Sequence, residues 1–250
     1  MEIEQTPRPE RITMRTIWQG ILDGLSLERG LIGTTITLTK RPAQAIRNYL
    51  LEDRTHLMPP FRYLLFMVAI GTFLTVQYFN NNGSLISKFK EGVEKGYNAE
   101  SDATTDVEKQ QFLQTYLENT TYLFNNYFNL FIVLGVPVAA VATMWFFRRR
   151  FNYAEHLVIN SYVTGYLTVI YIALFPILFI TDFAVLSGIY FIATFAYSII
   201  VYKNVYQSVG VRGYVAASGA MLIYLILYYM LMIVLFISLA FIALAKQFGN

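Results

Sequence analysis

Cysteine is absent from the 250-residue chain, and histidine occurs only twice. The first absence excludes a disulfide framework, a thiolate zinc site, an iron–sulfur cluster and a cysteine nucleophile. The second leaves too few imidazoles for a multi-histidine metal centre. Charge is also scarce, with 14% of residues Asp, Glu, Lys or Arg against about 25% in an ordinary soluble domain. A globule of this size would have too few charged side chains to cover its surface. No Walker motif, dinucleotide fingerprint, HExxH or GxSxG sequence occurs, so the familiar phosphate, nicotinamide, zinc-protease and serine-hydrolase chemistries have no support. Gly30-Leu31-Ile32-Gly33 lacks the Gly-Lys-Ser/Thr ending of a phosphate loop.

Hydrophobic residues make up 56% of the chain and aromatics 16%, with a net charge of +3. That composition excludes intrinsic disorder and points to an integral membrane protein. A membrane helix takes roughly 20 mostly apolar residues. Five segments meet that demand, at residues 61–79, 122–147, 157–181, 183–202 and 215–245. The amino-terminal stretch MEIEQTPRPE is acidic and carries no apolar run. No signal peptide is expected, and the first span directs insertion.

Basic residues set the orientation of such a chain. Residues 1–62 and the loops joining spans two to three and four to five hold fourteen of the nineteen Lys and Arg residues. The other side holds Lys88, Lys90, Lys95, Lys109 and Lys246. The amino terminus is therefore expected in the cytoplasm and the carboxyl terminus outside. The loop at residues 80–121 is net acidic, which suits translocation.

Outside the bilayer, Met14, Ile17, Trp18, Ile21, Leu22 and Leu25 follow helical spacing. They describe an amphipathic helix lying on the inner leaflet or packed on the protein's own loops. A second short helix is expected from Pro42, a favoured first-turn residue, to about Asp53. The long external loop shows two apolar stripes, Leu85, Ile86, Phe89, Val93 and Leu113, Tyr116, Leu117. Two short helices folding over the outer face is one reading, and a partner-docking surface is the other.

The spans as drawn contain no ionisable residue between their ends, which argues against proton pumps, voltage sensors and most ion-coupled carriers. They do contain a polar stripe. On span three, Asn160, Thr164 and Thr168 continue from His156 at steps of four towards Tyr171. Tyr190, Thr194 and Tyr197 on span four are the expected partners, with Tyr224 and Tyr228 on span five. The stripe reads as interhelical hydrogen bonding or as the wall of a water-filled groove. Ala216, Ala217, Ser218, Gly219 and Ala220 permit close helix approach, and Pro137 and Pro176 are expected to kink spans two and three.

One further constellation lies on the cytoplasmic side. His56 stands four residues after Glu52 and next but one to Arg54. Glu155 adjoins His156 at the mouth of span three. With Asp53 these groups can hold a metal or exchange protons. Alternatively they form an interfacial cluster with Arg148, Arg149 and Arg150, whose ordinary role is to lock topology and whose charge suits anionic lipid headgroups.

The run from Glu28-Arg29-Gly30-Leu31 through Thr39-Lys40-Arg41-Pro42, Ile46-Arg47-Asn48-Tyr49-Leu50, Arg54 and Pro59 to Arg62-Tyr63-Leu64-Leu65 resembles an uncharacterised family of small Bacteroidota inner-membrane proteins. That family shows a threonine-rich segment and a P-x-x-x-I-R-x-Y head motif. Phe151-Asn152-Tyr153-Ala154-Glu155-His156-Leu157-Val158 resembles its Y-A-E-H signature. The family's Pro-Gly is Pro42-Ala43 here, and its Gly-Lys-Arg is Glu52-Asp53-Arg54. Many members begin with a zinc ribbon, which a chain without cysteine cannot form. The resemblance implies a bacterial inner membrane and a shared fold, and no activity. In topology alone the chain is similar to Yip-type five-span proteins.

These readings converge on an all-α, polytopic membrane protein. An amphipathic cytoplasmic region at 1–58 precedes a five-helix transmembrane bundle at 59–250. Neither a cofactor nor a metal is expected. The expected partners are the lipid bilayer, anionic headgroups and a protein partner or homo-oligomer, with no nucleic acid. The expected function is that of a non-enzymatic accessory, scaffold or assembly protein. The alternative is a passive transporter, channel or lipid-moving protein working through the stripe.

Overall fold

The computed structural model describes residues 30–82, 107–181 and 183–248, with positions 92 and 95 between them. The inner-leaflet helix expected around Met14–Leu25 and the stripe from Leu85 to Val93 lie outside the described residues. The elements are helical: α1 (Leu31–Lys40), α2 (Pro42–Leu51), α3 (Pro60–Asn82), α4 (Val107–Phe147), α5 (Tyr153–Leu174), a 3-10 turn (Phe175–Phe179), α6 (Phe183–Val205) and α7 (Gly210–Phe248). Five helices are long and apolar enough to cross a membrane, over Pro60–Tyr78, Leu130–Phe147, Tyr153–Phe179, Ala184–Val205 and Gly210–Ser238. The chain divides into two compact units, Met1–Pro59 and Pro60–Asn250.

In the first unit, α2 starts at Pro42 because proline's fixed φ suits a first turn. The helix before it had no signal in the hydrophobic pattern. Its sequence, LIGTTITLTK, is rich in β-branched residues of modest helix propensity. The threonine hydroxyls answer that by bonding back into the helix. Thr35 donates to the Leu31 carbonyl at 2.8 Å and Thr37 to Gly33 at 2.7 Å. Thr34 turns inward instead, fully buried, and its Oγ1 accepts the Met58 amide at 2.8 Å. That bond ties the segment after α2 back to α1.

In the second unit the helices run alternately up and down. Contacts along their lengths fix the order. Thr75 meets Tyr171 and Tyr78 meets Leu178, so α3 and α5 run parallel. Thr143 meets His156 and Tyr206 meets His156, so α4 and α6 run against α5. Tyr228 reaches Phe131, while Gly219 lies beside Phe146, so α7 runs against α4. Helix α5 packs on α3, α4 and α6, and α7 packs on α4 and α6. Leu64, Val68 and Val136 form one apolar core with Ile132 and Leu157. Phe175, Leu178 and Leu186 form another at the far end.

Two expectations change. Leu113, Tyr116 and Leu117 lie on α4 itself and not on a separate loop helix, because α4 continues without a break from the polar segment into span two. Pro176 does not kink a continuing α-helix. The α-helix stops at Leu174 and passes into the 3-10 turn, since proline supplies no amide to extend the ladder. Pro137 lies inside α4.

Glycine sets how closely α3 and α5 approach. A Cβ on Gly165 would fall 2.8 Å from the Tyr63 ring and 3.4 Å from the Leu64 Cα. Gly165→Ala is therefore expected to destabilise the detergent-solubilised protein by about 1–3 kcal/mol. Gly188→Ala, where nothing lies within 4 Å, is expected to be neutral or to gain up to about 1 kcal/mol from helix propensity. Thermal unfolding of both variants beside the parent reads the difference, and equal midpoints would remove the steric argument.

Candidate functional site

The polar groups of the bundle concentrate where α4 ends and α5 begins. Asn152 caps α5, accepting the Glu155 amide at 3.0 Å, while the Glu155 carboxylate accepts the Asn152 amide at 2.7 Å. This reciprocal pair is a capping box. It starts α5 at Tyr153, four residues earlier than the apolar run suggests. His156 consequently lies inside the third span and not at its mouth, and it is fully buried. Glu155 is engaged in starting the helix and is not bonded to the imidazole.

His156 takes its partners from two other spans. Its Nδ1 is 2.7 Å from the Tyr206 hydroxyl and 3.0 Å from Thr143 Oγ1. One turn along α5, Asn160 donates to Thr143 Oγ1 at 3.0 Å and to the His156 carbonyl at 2.8 Å. Its side-chain oxygen accepts the Tyr202 hydroxyl at 2.7 Å. Thr143 has one proton, and the Ala139 carbonyl lies 2.9 Å from its oxygen. With that proton on Ala139, Nδ1 accepts from Tyr206, and the ring hydrogen is assigned to Nε2 from the network. The Phe151 main chain interacts with the ring, but among the described residues no group closes a hydrogen bond of ordinary geometry on Nε2. Tyr206 is in turn stacked on Phe147 at 4.1 Å between centroids.

The polar seam continues away from His156. Thr168 is buried, and its hydroxyl bonds back to the Thr164 carbonyl. The Tyr171 hydroxyl meets Thr75 at 2.9 Å, and its ring packs edge-on to Tyr190 at 5.6 Å. Tyr224 lies within electrostatic reach of Tyr190, and of Tyr202 in the other direction. His156 and Tyr171 are about 22 Å apart along α5 at the usual helical rise. The hydroxyls of Tyr197 and Ser198 on α6 are buried and have no hydrogen-bond partner among the described residues.

The expected partners divide. Tyr190 joins the stripe, whereas Tyr197 stacks on Tyr166 at 4.6 Å. Thr194 bonds to the Phe191 carbonyl of its own helix. Tyr224 and Tyr228 pack against Gly135 of α4. Reading the stripe alone missed Thr143, a lone polar residue on its stretch of α4, and also Tyr202 and Tyr206, although these two continue the step of four from Tyr190, Thr194 and Ser198.

The residues of the second expected constellation divide between the two units. Arg148, Arg149 and Arg150 are exposed, and among the described residues no ion pair ties them to Glu155 or His156. Arg54 is exposed in the first unit. His56 Nε2 pairs there with Asp53 at 2.9 Å. Among the described residues no three His, Asp or Glu side chains group as metal ligands. Asp53 also accepts the amide and hydroxyl of Thr55, each at 2.8 Å. Those two bonds, followed by the nearby His56, hold its carboxyl below the ordinary carboxylate range despite some desolvation.

Two predictions follow from this geometry. Asn160→Leu leaves the Tyr202 hydroxyl unpartnered and is expected to cost about 1–3 kcal/mol, and Tyr202→Phe about 0.6–1.7 kcal/mol. The double variant should cost clearly less than the sum, because both changes remove the same bond. Reversible unfolding in mixed micelles measures this, and additive losses would dissolve the network. For Asp53 the folded carboxyl is the more acidic state. Its contribution is therefore full at neutral pH and is lost as pH falls below about 4. Protection of the Thr55 amide from hydrogen exchange should drop over that window in the parent, and Asp53→Asn should abolish the transition.

Residues 28–71 are similar to a family model described as a protein of unknown function (DUF3667). The matched stretch takes in α1, α2 and the first half of α3, including Thr34, Pro42 and Tyr63. The His156 network lies outside it. No curated protein and no solved structure matches the chain.

Proposed function

We propose that the protein is a non-enzymatic accessory or scaffold of a bacterial inner membrane that presents a helical projection to a partner protein. One observation carries the reading. Helix α4, at 41 residues, is about 60 Å long, twice the roughly 30 Å of a bilayer's hydrocarbon core. Even with the apolar run counted from residue 122 to Phe147, residues 107–121 extend past the membrane. Helix α7 runs antiparallel against it. A loop crossing between spans one and two does not need this extension. On the projecting part, Gln114 and Glu118 are exposed while Leu117 and Thr120 are buried. The distribution of basic residues favours an external position for this projection.

A photo-crosslinking residue at position 114 or 118 tests the reading in the native membrane. One distinct protein adduct is expected at both positions, and an adduct of twice the chain's own mass identifies the partner as a second copy. Leu134, exposed on the span-like part of α4, is the control and should give lipid adducts. A chain that yields no protein adduct at 114 and 118 would not be a scaffold of this kind.

A second reading has its own support. The seam from His156 to Tyr171 spans about 22 Å of α5, and the buried hydroxyls of Tyr197 and Ser198 on α6 have spare bonding capacity among the described residues, which suits passive movement of a polar solute or headgroup. Flux in liposomes, compared between the parent and Asn160→Leu or Thr164→Val, separates the two. Flux that is absent, or indifferent to both changes, leaves the scaffold reading alone.

A further inference from the structure

The end of the bundle at which α4 and α6 finish and α3, α5 and α7 begin is rich in cations that no described residue neutralises. Arg148, Arg149 and Arg150 follow directly on α4 and are all exposed. Arg62 and Arg212 are exposed at the starts of α3 and α7. Among the described residues none of these arginines forms an ion pair. The acid nearest in sequence to the triple arginine is Glu155, and its carboxylate is bonded to the Asn152 amide. Lys203 is also committed, with its ammonium 4.0 Å from the Tyr214 ring centre.

Two observations separate the triple arginine from a simple excess of positive charge. First, it stands on a fixed base. The Arg150 amide closes a turn onto the Phe147 carbonyl at 2.9 Å. Phe147 is buried and stacked on Tyr206, whose hydroxyl is held by His156. Second, Trp145 lies three residues before Arg148 and is 70% exposed. Tyr153 and Tyr214, at the starts of α5 and α7, are exposed at the same end. Tryptophan and tyrosine favour the depth at which acyl chains give way to headgroups. The guanidinium groups then stand at the level of the phosphates, and their planar forks match phosphate oxygens in a way a lysine ammonium does not.

We infer that Arg148, Arg149 and Arg150, beside Trp145, form a binding site for the phosphate of an anionic phospholipid of the surrounding bilayer. The occupant is a membrane lipid because the aromatic residue supports an acyl chain next to the charge. Neither the proposed partner protein nor the polar seam is needed for it.

The test uses the full chain in nanodiscs of equal phosphatidylglycerol and phosphatidylcholine, extracted into mild detergent and analysed for retained lipid by mass spectrometry. The parent should retain phosphatidylglycerol over phosphatidylcholine at roughly five to one, about what one well-placed arginine contributes near an anionic surface. Replacing all three arginines by glutamine should return retention to the bilayer ratio. Replacing all three by lysine keeps the charge that orients the chain, yet should lose at least half of the enrichment. The exposed positions leave the fold intact, and unchanged elution and melting confirm it for each variant. Retention at the bilayer ratio by the parent would overturn the site, as would enrichment in the lysine variant equal to the parent's. Salt-sensitive capture of an acidic protein at this rim, without lipid enrichment, would also overturn it.

Discussion

Helices immersed in lipid gain little from hiding apolar faces, since acyl chains are as apolar as leucine. The shared hydrogen bonds around Thr143 and Asn160 are therefore the interaction on which the bundle's register depends. Thr143 on α4, His156 and Asn160 on α5, and Tyr202 on α6 with Tyr206 in the turn directly after it can meet only at one axial setting of three helices. A slip of one residue would strand several buried polar atoms at once. Packing then fills in around that setting. Ala217 and Ala220 are buried, and Gly219 lets the Phe146 ring lie against α7.

The same network explains how a sparse sequence makes a defined membrane structure. Most polar side chains in the spans bond back to their own helix, as Thr143, Ser161 and Thr168 do. Such bonds satisfy hydroxyls without specifying a neighbour. Specificity falls to the few groups with capacity left over. Asn160 is the clearest of them, because its amide reaches backbone, threonine and tyrosine together.

Much of the fold was legible in composition, because a stretch of apolar residues long enough to cross a bilayer leaves few alternatives. Boundaries were less legible where something other than hydrophobicity set them. Helix α5 begins at Asn152-x-x-Glu155, a readable capping signal that the apolar run does not include, and this moved His156 from an interface into a core. Helix α4 extends back into a polar segment because a helix need not stop where the membrane does. Helix α1 was invisible because four threonines in ten residues resemble strand or loop until their hydroxyls are seen to bond back. Of the site, the stripe from His156 to Tyr171 could be read from its spacing, since residues of one helix announce one another. Thr143 could not, because a single polar residue becomes meaningful only when packing brings a second helix to it.

Continuity of α4 has a mechanical side. A helix unbroken from Val107 to Phe147 is a stiff rod whose two ends lie in different surroundings. A sideways push on its polar end is a torque on the turn that carries Arg148, Arg149 and Arg150. Its most compliant point is the neighbourhood of Gly135 and Pro137, where proline withholds the amide that Val133 would otherwise accept. Tyr224 and Tyr228 of α7 press against that same stretch, so the rod is splinted where it would bend most easily.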